Sequence, residues 1–420
     1  VDGDCFFASC EVASRPELKG RPVITGLERG IASSFTYEAK ARGVRRAMPF
    51  HEIKRICPEA VFLPSDYETY SLYSLRMYNI VRRFTPAVEE YSIDECFADL
   101  TGLQRPLNMS YAQMAEKIKV ALDSELGFTF SVGLAPTKVL AKIGSKWKKP
   151  SGLTIIPGTD INLYLAKLSV GEVWGIGPQT TAYLNKWGIR TALQFAEKDL
   201  DWLQANLTKP HQEIWQELRG QMVYTVDPDK KTSYQSISKT KTFTPPSSDR
   251  EYIFSQLSKN TENSCIKLRR YQLAAKKVFF FLKTQDFRYQ GYEFKLIRPT
   301  DNPIEIIKMM SKYFDSVYSP GRLFRATGLV LIDLVENNSR QVDLFNEVIT
   351  AEKISKIFSS VDGLARRYGK HTLFLGSSFE AMKGAQHEGN RQITAECKHD
   401  LFKGETARKR LAIPFLGGVG

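Results

Sequence analysis

Tyr91-Ser92-Ile93-Asp94-Glu95-Cys96-Phe97-Ala98-Asp99-Leu100 sets two carboxylates side by side in a run whose flanks read as β-strand. Neighbours on a regular strand point to opposite faces, so Asp94 and Glu95 serve one site only from a hairpin tip or a bulge. Adjacent carboxylates repel, and both stay ionised at neutral pH only with positive charge among them. The chain has no Cys/His cluster to suggest zinc, so hard, oxygen-preferring Mg²⁺ is the expected cation.

Before the pair, residues 1–4 read as a strand end feeding a helix over 6–13. An apolar stretch at 22–25 leads through small residues, including Gly30, Ala32 and Ser33, into a helical segment over 35–42. The periodicity predicts further helices over 72–83 and 111–126, and strands over 88–92, 96–100 and 128–134. From 165 to about 220 the pattern is helical throughout. Within it, Val173-Trp174-Gly175-Ile176-Gly177-Pro178 forms a glycine-apolar-glycine turn that exposes backbone N–H groups at a helix start. Such a turn suits a DNA phosphate, with an ordinary helix-to-helix turn as the alternative.

The polar stretch 227–233 reads as a linker. Beyond it a strand over 235–243 precedes a capping box at Ser248-Asp249-Arg250-Glu251 and a helix to about 271. Strands over 277–283 and 291–297, a helix over 304–317 and a strand over 324–334 complete a β-α-β-β-α-β order, a split βαβ module. Residues 234–340 hold 18 Lys and Arg against 10 Asp and Glu, a net +8 out of +13 for the whole chain. So concentrated a positive charge argues for an electrostatic grip on nucleic acid. The last region has a helix-like stretch, a strand-like 371–375 and a polar tail.

The 420 residues, 42% apolar, are enough for two to four domains. Six dispersed cysteines without CxxC pairing suit a reducing compartment. No apolar run approaches a bilayer's thickness, so a cytoplasmic protein without a membrane partner is expected. The chain starts at Val1 inside an apparent strand, which suggests a missing start.

Asp2 lies on the first strand, which is expected to adjoin the Asp94-Glu95 hairpin in a sheet. Three carboxylates around two cations about 4 Å apart are what an in-line phosphoryl or nucleotidyl displacement needs. The plain alternative for an isolated Asp-Glu pair is a solvated turn.

Five ordered segments decide between them. Val1-Asp2-Gly3-Asp4-Cys5-Phe6-Phe7-Ala8-Ser9-Cys10-Glu11, Tyr37-Glu38-Ala39-Lys40-Ala41-Arg42-Gly43-Val44, Tyr91-Ser92-Ile93-Asp94-Glu95, Ser131-Val132-Gly133-Leu134-Ala135 and Lys149-Pro150-Ser151-Gly152 resemble the Y-family lesion-bypass DNA polymerases over about residues 1–345. The double Phe is similar to the bacterial polymerase IV branch, and the long tail to the polymerase V catalytic subunit.

The resemblance implies an α+β multidomain, right-hand polymerase. Its palm would comprise 1–5 and 67–160, its fingers 6–66, its helical thumb 161–226, a linker 227–234 and a little finger 235–340; 341–420 would be a clamp-binding peptide and tail. It further implies a template-directed, low-fidelity DNA polymerase of the SOS damage response, acting on primer-template DNA and deoxynucleoside triphosphates with two Mg²⁺ ions. No segment reads as a proofreading exonuclease. Asp2, Asp94 and Glu95 would be catalytic and bind metal, with the Gly3 backbone carbonyl as a further ligand. Asp4 matches an acid that is commonly not a direct ligand. Phe7 would be the steric gate against a ribose 2′-OH, and Phe6, Ser34, Tyr37, Lys40 and Lys149 would meet the nucleotide. Position 40 is often Arg in relatives, so Lys40 keeps the charge without the bidentate fork. Gly175, Gly177, Lys239, Lys241 and Arg325 would touch DNA. Gln341, Leu344 and Phe345 resemble the short peptide that docks on a sliding clamp. The need for an accessory subunit stays open.

Two other classes compete. A nucleotide cyclase needs the same paired carboxylates but leaves the basic module unexplained. A DNA- and clamp-binding protein with a spent active site would have lost an acid, and all three are present.

Overall fold

Residues 1–229, 234–337, 347–368 and 371–383 are described by the computed structural model of the chain. They fall into two units, one up to residue 230 with a five-stranded and a three-stranded sheet and one beyond it with a four-stranded sheet. Among the described residues no helix is long and apolar enough to cross a membrane.

The first unit starts with β1 (Asp2–Gly3) and α1 (Phe6–Ser14), joined by Cys5 in a left-handed conformation, φ 48°. Next come β2 (Val23–Thr25), β3 (Ser34–Phe35), α2 (Tyr37–Ala41), α3 (Phe50–Ile56) and β4 (Val61–Leu63). The helix expected from residue 35 begins only at Tyr37, because Ser34 and Phe35 pair with Thr25 and Ile24 as a strand. The sheet β3-β2-β4 packs its own small core around Ile24, Ala32, Ala39, Val44 and Ile53.

A long helix, α4 (Tyr67–Arg82), extends further back than its periodicity predicted because Asp66 caps it, accepting the Thr69 N–H at 3.2 Å. Strands β5 (Val88–Ser92) and β6 (Glu95–Ala98) form the acidic hairpin, with Ile93 and Asp94 at its turn. The short helix α5 (Gln104–Leu107) precedes α6 (Tyr111–Leu126), which opens on a Ser110/Gln113 capping box. Strand β7 (Phe130–Leu134), helix α7 (Lys138–Trp147) and strand β8 (Leu153–Ile155) complete a five-stranded sheet of order β5-β6-β1-β7-β8. The first strand thus lies at its centre, beside the acidic hairpin. One core, from Phe6 and Cys10 through Tyr70, Tyr73 and Met77 to Leu122 and Phe130, joins α1, α4 and α6 to this sheet. The remaining segment is helical as expected: α8 (Ile161–Leu165), α9 (Pro178–Lys186), α10 (Ala192–Ala196), α11 (Leu200–Asn206) and α12 (Lys209–Leu218).

The second unit contains β9 (Ser236–Ser247), α13 (Arg250–Arg270), β10 (Leu273–Thr284), β11 (Tyr289–Thr300), α14 (Pro303–Val317) and β12 (Phe324–Glu336), the expected β-α-β-β-α-β order. Its sheet runs β11-β10-β12-β9 with every pair antiparallel, so each helix joins two strands of like direction with one strand between them. Pro245-Pro246 lie inside β9 without breaking it, since an edge strand tolerates missing donors. The N-cap of α13 is Asp249, not Ser248: Asp249 Oδ1 accepts the N–H groups of Glu251 and Tyr252 at 2.9 and 3.2 Å.

Beyond β12, α15 (Glu347–Tyr368) and α16 (Phe379–Lys383) belong to this second unit. Arg269 on α13 grips Asp362 with two hydrogen bonds of 2.6 and 2.8 Å. Residues 371–375 are not the strand expected. The Leu375 N–H bonds Glu262 at 3.2 Å and the Ser378 hydroxyl bonds Ser258 at 2.8 Å, so hydrogen bonding to α13 replaces strand pairing.

Candidate active site

Asp2 is the cross-strand partner of Glu95 on one side and of Ser131 on the other, so the sheet brings residues far apart in sequence onto one patch. The Gly3 N–H donates to the Asp94 carbonyl at 2.8 Å and ties the hairpin turn to β1. Both carboxylates then meet lysines. Asp2 Oδ2 accepts Lys142 Nζ at 2.9 Å, Asp2 Oδ1 accepts Lys149 Nζ, and Lys142 Nζ also donates to Glu95 Oε1. The Asp94 Oδ1 accepts the Ser92 hydroxyl at 2.7 Å.

Among the described residues no three His, Cys, Asp or Glu side chains stand close enough to hold one ion. Asp2 and Glu95 are joined through Lys142, while the Asp94 carboxylate bonds Ser92. The reason is electrostatic: Lys142 and Lys149 supply the positive charge between the acids, and the turn position of Asp94 gives it a local hydroxyl instead. The donors gathered here are all oxygens, which fits Mg²⁺ and not a thiolate- or imidazole-loving ion.

Burial would raise the Asp2 carboxyl, but Lys149 and then Lys142 outweigh it and hold the group below the ordinary value. Burial pushes Glu95 up, against Lys142 and with help from the negative Asp2. The two acids share Lys142 unequally because Asp2 alone has Lys149 as a second cation. Lys142 itself, 7% exposed, is kept charged: burial disfavours its ammonium, and Asp2 and Glu95 more than compensate.

Asp4 lies in a hydrogen-bonded cradle under Lys149. It is 1% exposed and accepts from the hydroxyls of Thr129 and Ser131, each at 2.9 Å, and from the Ser151 N–H at 2.7 Å. Those bonds fasten the loop carrying Lys149, whose Nζ lies 3.5 Å from Asp4. Cys5 is half-buried beside Asp4, and its thiol is pushed up to about 11 by desolvation and Asp4, with Lys149 and Lys40 pulling the other way. The Tyr37 phenol is raised by burial, then by Asp4, Cys5 and Asp2. Lys40 Nζ sits 5.3 Å from the centre of the Tyr37 ring. Tyr37, Lys40 and Lys149 therefore surround one spot next to Asp2. Ser34 is spent on α1: its hydroxyl donates to the Cys5 carbonyl at 3.2 Å and accepts the Ala8 N–H at 3.4 Å.

Phe6 and Phe7 part company. Phe6 turns into the core, 3% exposed and edge-on to Phe128 at 5.8 Å, which departs from the nucleotide contact expected of it. Phe7, one position further round the helix, is half-buried and stacks on Tyr70 at 4.5 Å with 13° between the ring planes.

Helix α7 delivers Lys142, and two devices hold it against the sheet. A Cβ on Gly133 would stand 2.1 Å from the Ala141 carbonyl, so only glycine lets β7 approach this closely. Glu217, fully buried on α12, accepts the N–H groups of Val139, Val223 and Tyr224 at 3.1, 2.7 and 2.8 Å. Glu217→Ala leaves those three donors without their carboxylate and is expected to cost about 3–5 kcal/mol. Urea unfolding of the purified chain checks this, and a loss below about 1 kcal/mol would rule the carboxylate out as a fastener.

In the glycine turn, Gly175 has φ +91°, and Ile176 is buried. Gly177 is the N-cap of α9, and a Cβ there would meet nothing within 4 Å. In the second unit, Lys239 and Lys241 pair with Leu329 and Thr327, both fully buried. Strand alternation puts these lysines on the face of Ile237 and Phe243, the helix-covered one, at the β9 edge. Arg325 lies 4.1 Å from the centre of the Phe287 ring. Gln341, Leu344 and Phe345 fall outside the described residues.

Sequence reading overlooked Lys142 and Glu217. A signal existed for the first: a lone lysine between Val139, Leu140 and Ile143 on the apolar stripe of α7 is a buried charge in need of acids. Glu217 carries no such local mark.

A family model described as the impB/mucB/samB family matches residues 1–146, and one for that family's C-terminal domain matches 234–344. The DNA polymerase IV of Desulfatibacillum aliphaticivorans is 32% identical over 376 residues, covering 89% of this chain and 94% of its own. DNA polymerase IV 1 of Bacillus subtilis is 32% identical over 388 residues, covering 90% and 92%. Among solved structures, a Y-family DNA polymerase chimera of Dbh and Dpo4 superposes with a TM-score of 0.68 at 23% identity, over 80% of this chain and 98% of its own. DinB from Sulfolobus solfataricus, at 23% identity and the same coverages, gives a TM-score of 0.51.

Proposed function

The chain belongs to the Y family of translesion DNA polymerases and is a DNA-directed DNA polymerase, and on that footing we propose low-fidelity lesion bypass by two-metal nucleotidyl transfer at Asp2, Asp94 and Glu95. The observation that carries this reading is the pairing of Asp2 with Glu95 across the central strands, with Asp94 on the adjoining turn. Asp2, Asp94 and Glu95, with the Gly3 carbonyl as a further donor, would hold two Mg²⁺ ions, whose positive charge would lower the pKa of the attacking 3′-hydroxyl and stabilise the leaving pyrophosphate.

The protein's own groups do the rest. Tyr37, Lys40 and Lys149, gathered beside Asp2, hold the triphosphate, with Ser34 setting the start of α1 next to them. Phe7 closes the space that a 2′-hydroxyl would need. Small Gly30, Ala32 and Ser33 leave room beside the nascent pair, which favours damaged templates at the expense of fidelity. The open backbone at Gly177 supports a primer-phosphate contact. Lys239, Lys241 and Arg325 are assigned to backbone phosphates, the two lysines from the sheet's edge.

Primer extension with deoxynucleotides and Mg²⁺ over an undamaged and an abasic template tests the reading. Insertion opposite the lesion is expected. No extension on either template, with DNA binding intact, would favour the binding-protein alternative. For the clamp, deletion of 341–345 is expected to abolish stimulation by a sliding clamp while leaving the basal rate unchanged. Stimulation that survives the deletion reduces the peptide to a connector.

A further inference from the structure

We propose that Lys142 is a positioning residue of this site, a fixed counter-charge that holds Asp2 and Glu95 together and competes with divalent cations for their oxygens; this rests on the two-metal reading above. Its ammonium bonds both acids at once, to Asp2 at 2.9 Å and to Glu95. A lysine this buried stays charged only with acids as partners, and its two partners are two of the three assigned metal ligands. Nor can it swing out to solvent, because Val139, Leu140 and Ile143 on either side of it are packed into the core and α7 is fastened by Gly133 and Glu217.

A cation approaching Asp2 therefore meets an ammonium already on the carboxylate. Lys149 opposes it too, but that lysine is more exposed and sits at the nucleotide side, where a triphosphate draws it away. Lys142 has no such outlet. Lys142 thus keeps the acids aligned and keeps their affinity for cations modest until negative phosphates arrive.

Mn²⁺ binding to the full chain, followed by electron paramagnetic resonance without nucleotide or DNA, tests this, with Asp2→Asn defining the signal from this site. Lys142→Met is expected to bind Mn²⁺ at least roughly tenfold more tightly, because one positive charge has been removed from the ligands. Its kcat for primer extension is expected to fall at least roughly tenfold, with a smaller change in KM, as the acids lose alignment. Lys142→Gln, which keeps a hydrogen-bonding end, is expected to tighten Mn²⁺ in the same direction and serves if Lys142→Met does not fold. A merely structural lysine predicts the opposite, since loosened acids bind the ion more weakly. Unchanged or weaker Mn²⁺ binding in the variants, with normal binding by wild type, overturns the role of Lys142 alone. No Asp2-dependent binding even by wild type overturns the two-metal reading and this inference with it.

Discussion

Asp94→Ala is expected to lower kcat/KM for primer extension by roughly 10³-fold or more while leaving affinity for primer-template DNA within about twofold. Asp94 is the cleanest of the three acids to remove. Asp2 and Glu95 are both bonded to Lys142, so deleting either leaves that buried ammonium with one carboxylate in place of two, a loss of stability that confuses lost chemistry with lost fold. The Asp94 carboxylate bonds Ser92, a half-buried hydroxyl with water within reach, and its backbone bond to Gly3 survives truncation. Single-turnover extension at saturating Mg²⁺ measures the first quantity and fluorescence anisotropy on a labelled hairpin the second. A loss smaller than about tenfold would remove Asp94 from the metal shell and leave Asp2 and Glu95 as a pair serving something other than two-metal transfer.

How much of this was legible beforehand differs by level. The β-α-β-β-α-β module follows from the order of short β-rich runs and helical periods, with Pro245-Pro246 and the Ser248-to-Glu251 run marking the start of its first helix. The placement of Asp2 beside Glu95 was legible only as a consequence of the acid pair, since nothing local to residues 1–4 states which strands flank them. Side-chain direction at the site was not legible. Whether Phe6 or Phe7 faces the nucleotide depends on the 100° turn between successive helical residues and on Gly3 and Phe128 being where they are. That Asp94 would bond Ser92 while lysines took the other acids depends on α7, which sequence separates from the hairpin by some forty residues. The same holds for β9, where positive residues marked the module as a nucleic-acid binder, while only the register with Leu329 and Thr327 shows which face Lys239 and Lys241 occupy. The described residues of 347–383 had no readable chemistry because Asp362, Leu375 and Ser378 find their partners on α13, about a hundred residues earlier.

Phe7→Ala is expected to reduce discrimination against ribonucleotides by roughly 10²–10³-fold, expressed as the ratio of kcat/KM for a deoxynucleotide to that for its ribo counterpart. The exclusion depends on a ring that cannot yield. Phe7 lies flat on Tyr70 at 4.5 Å and meets the edge of Tyr67 at 5.4 Å with 82° between planes. Both supports are themselves fixed: the Tyr70 hydroxyl donates to buried Glu11 at 2.6 Å, and the Tyr67 hydroxyl accepts Arg29 at 2.8 Å. In the proposed gate a 2′-hydroxyl enters only by displacing this stack, so truncation to Ala opens space without taking a hydrogen bond from the deoxy substrate. The kcat/KM for deoxynucleotides should therefore fall by less than about tenfold, and the change should reside in the ribonucleotide arm. Tyr70→Leu makes a graded control, since it leaves the gate in place and loosens only its backing. An intermediate loss of discrimination in Tyr70→Leu would place the rigidity of the stack at the origin of the selectivity. Unchanged sugar selectivity in Phe7→Ala, in a protein that melts normally, would return Phe7 to the role of a packing residue between α1 and α4.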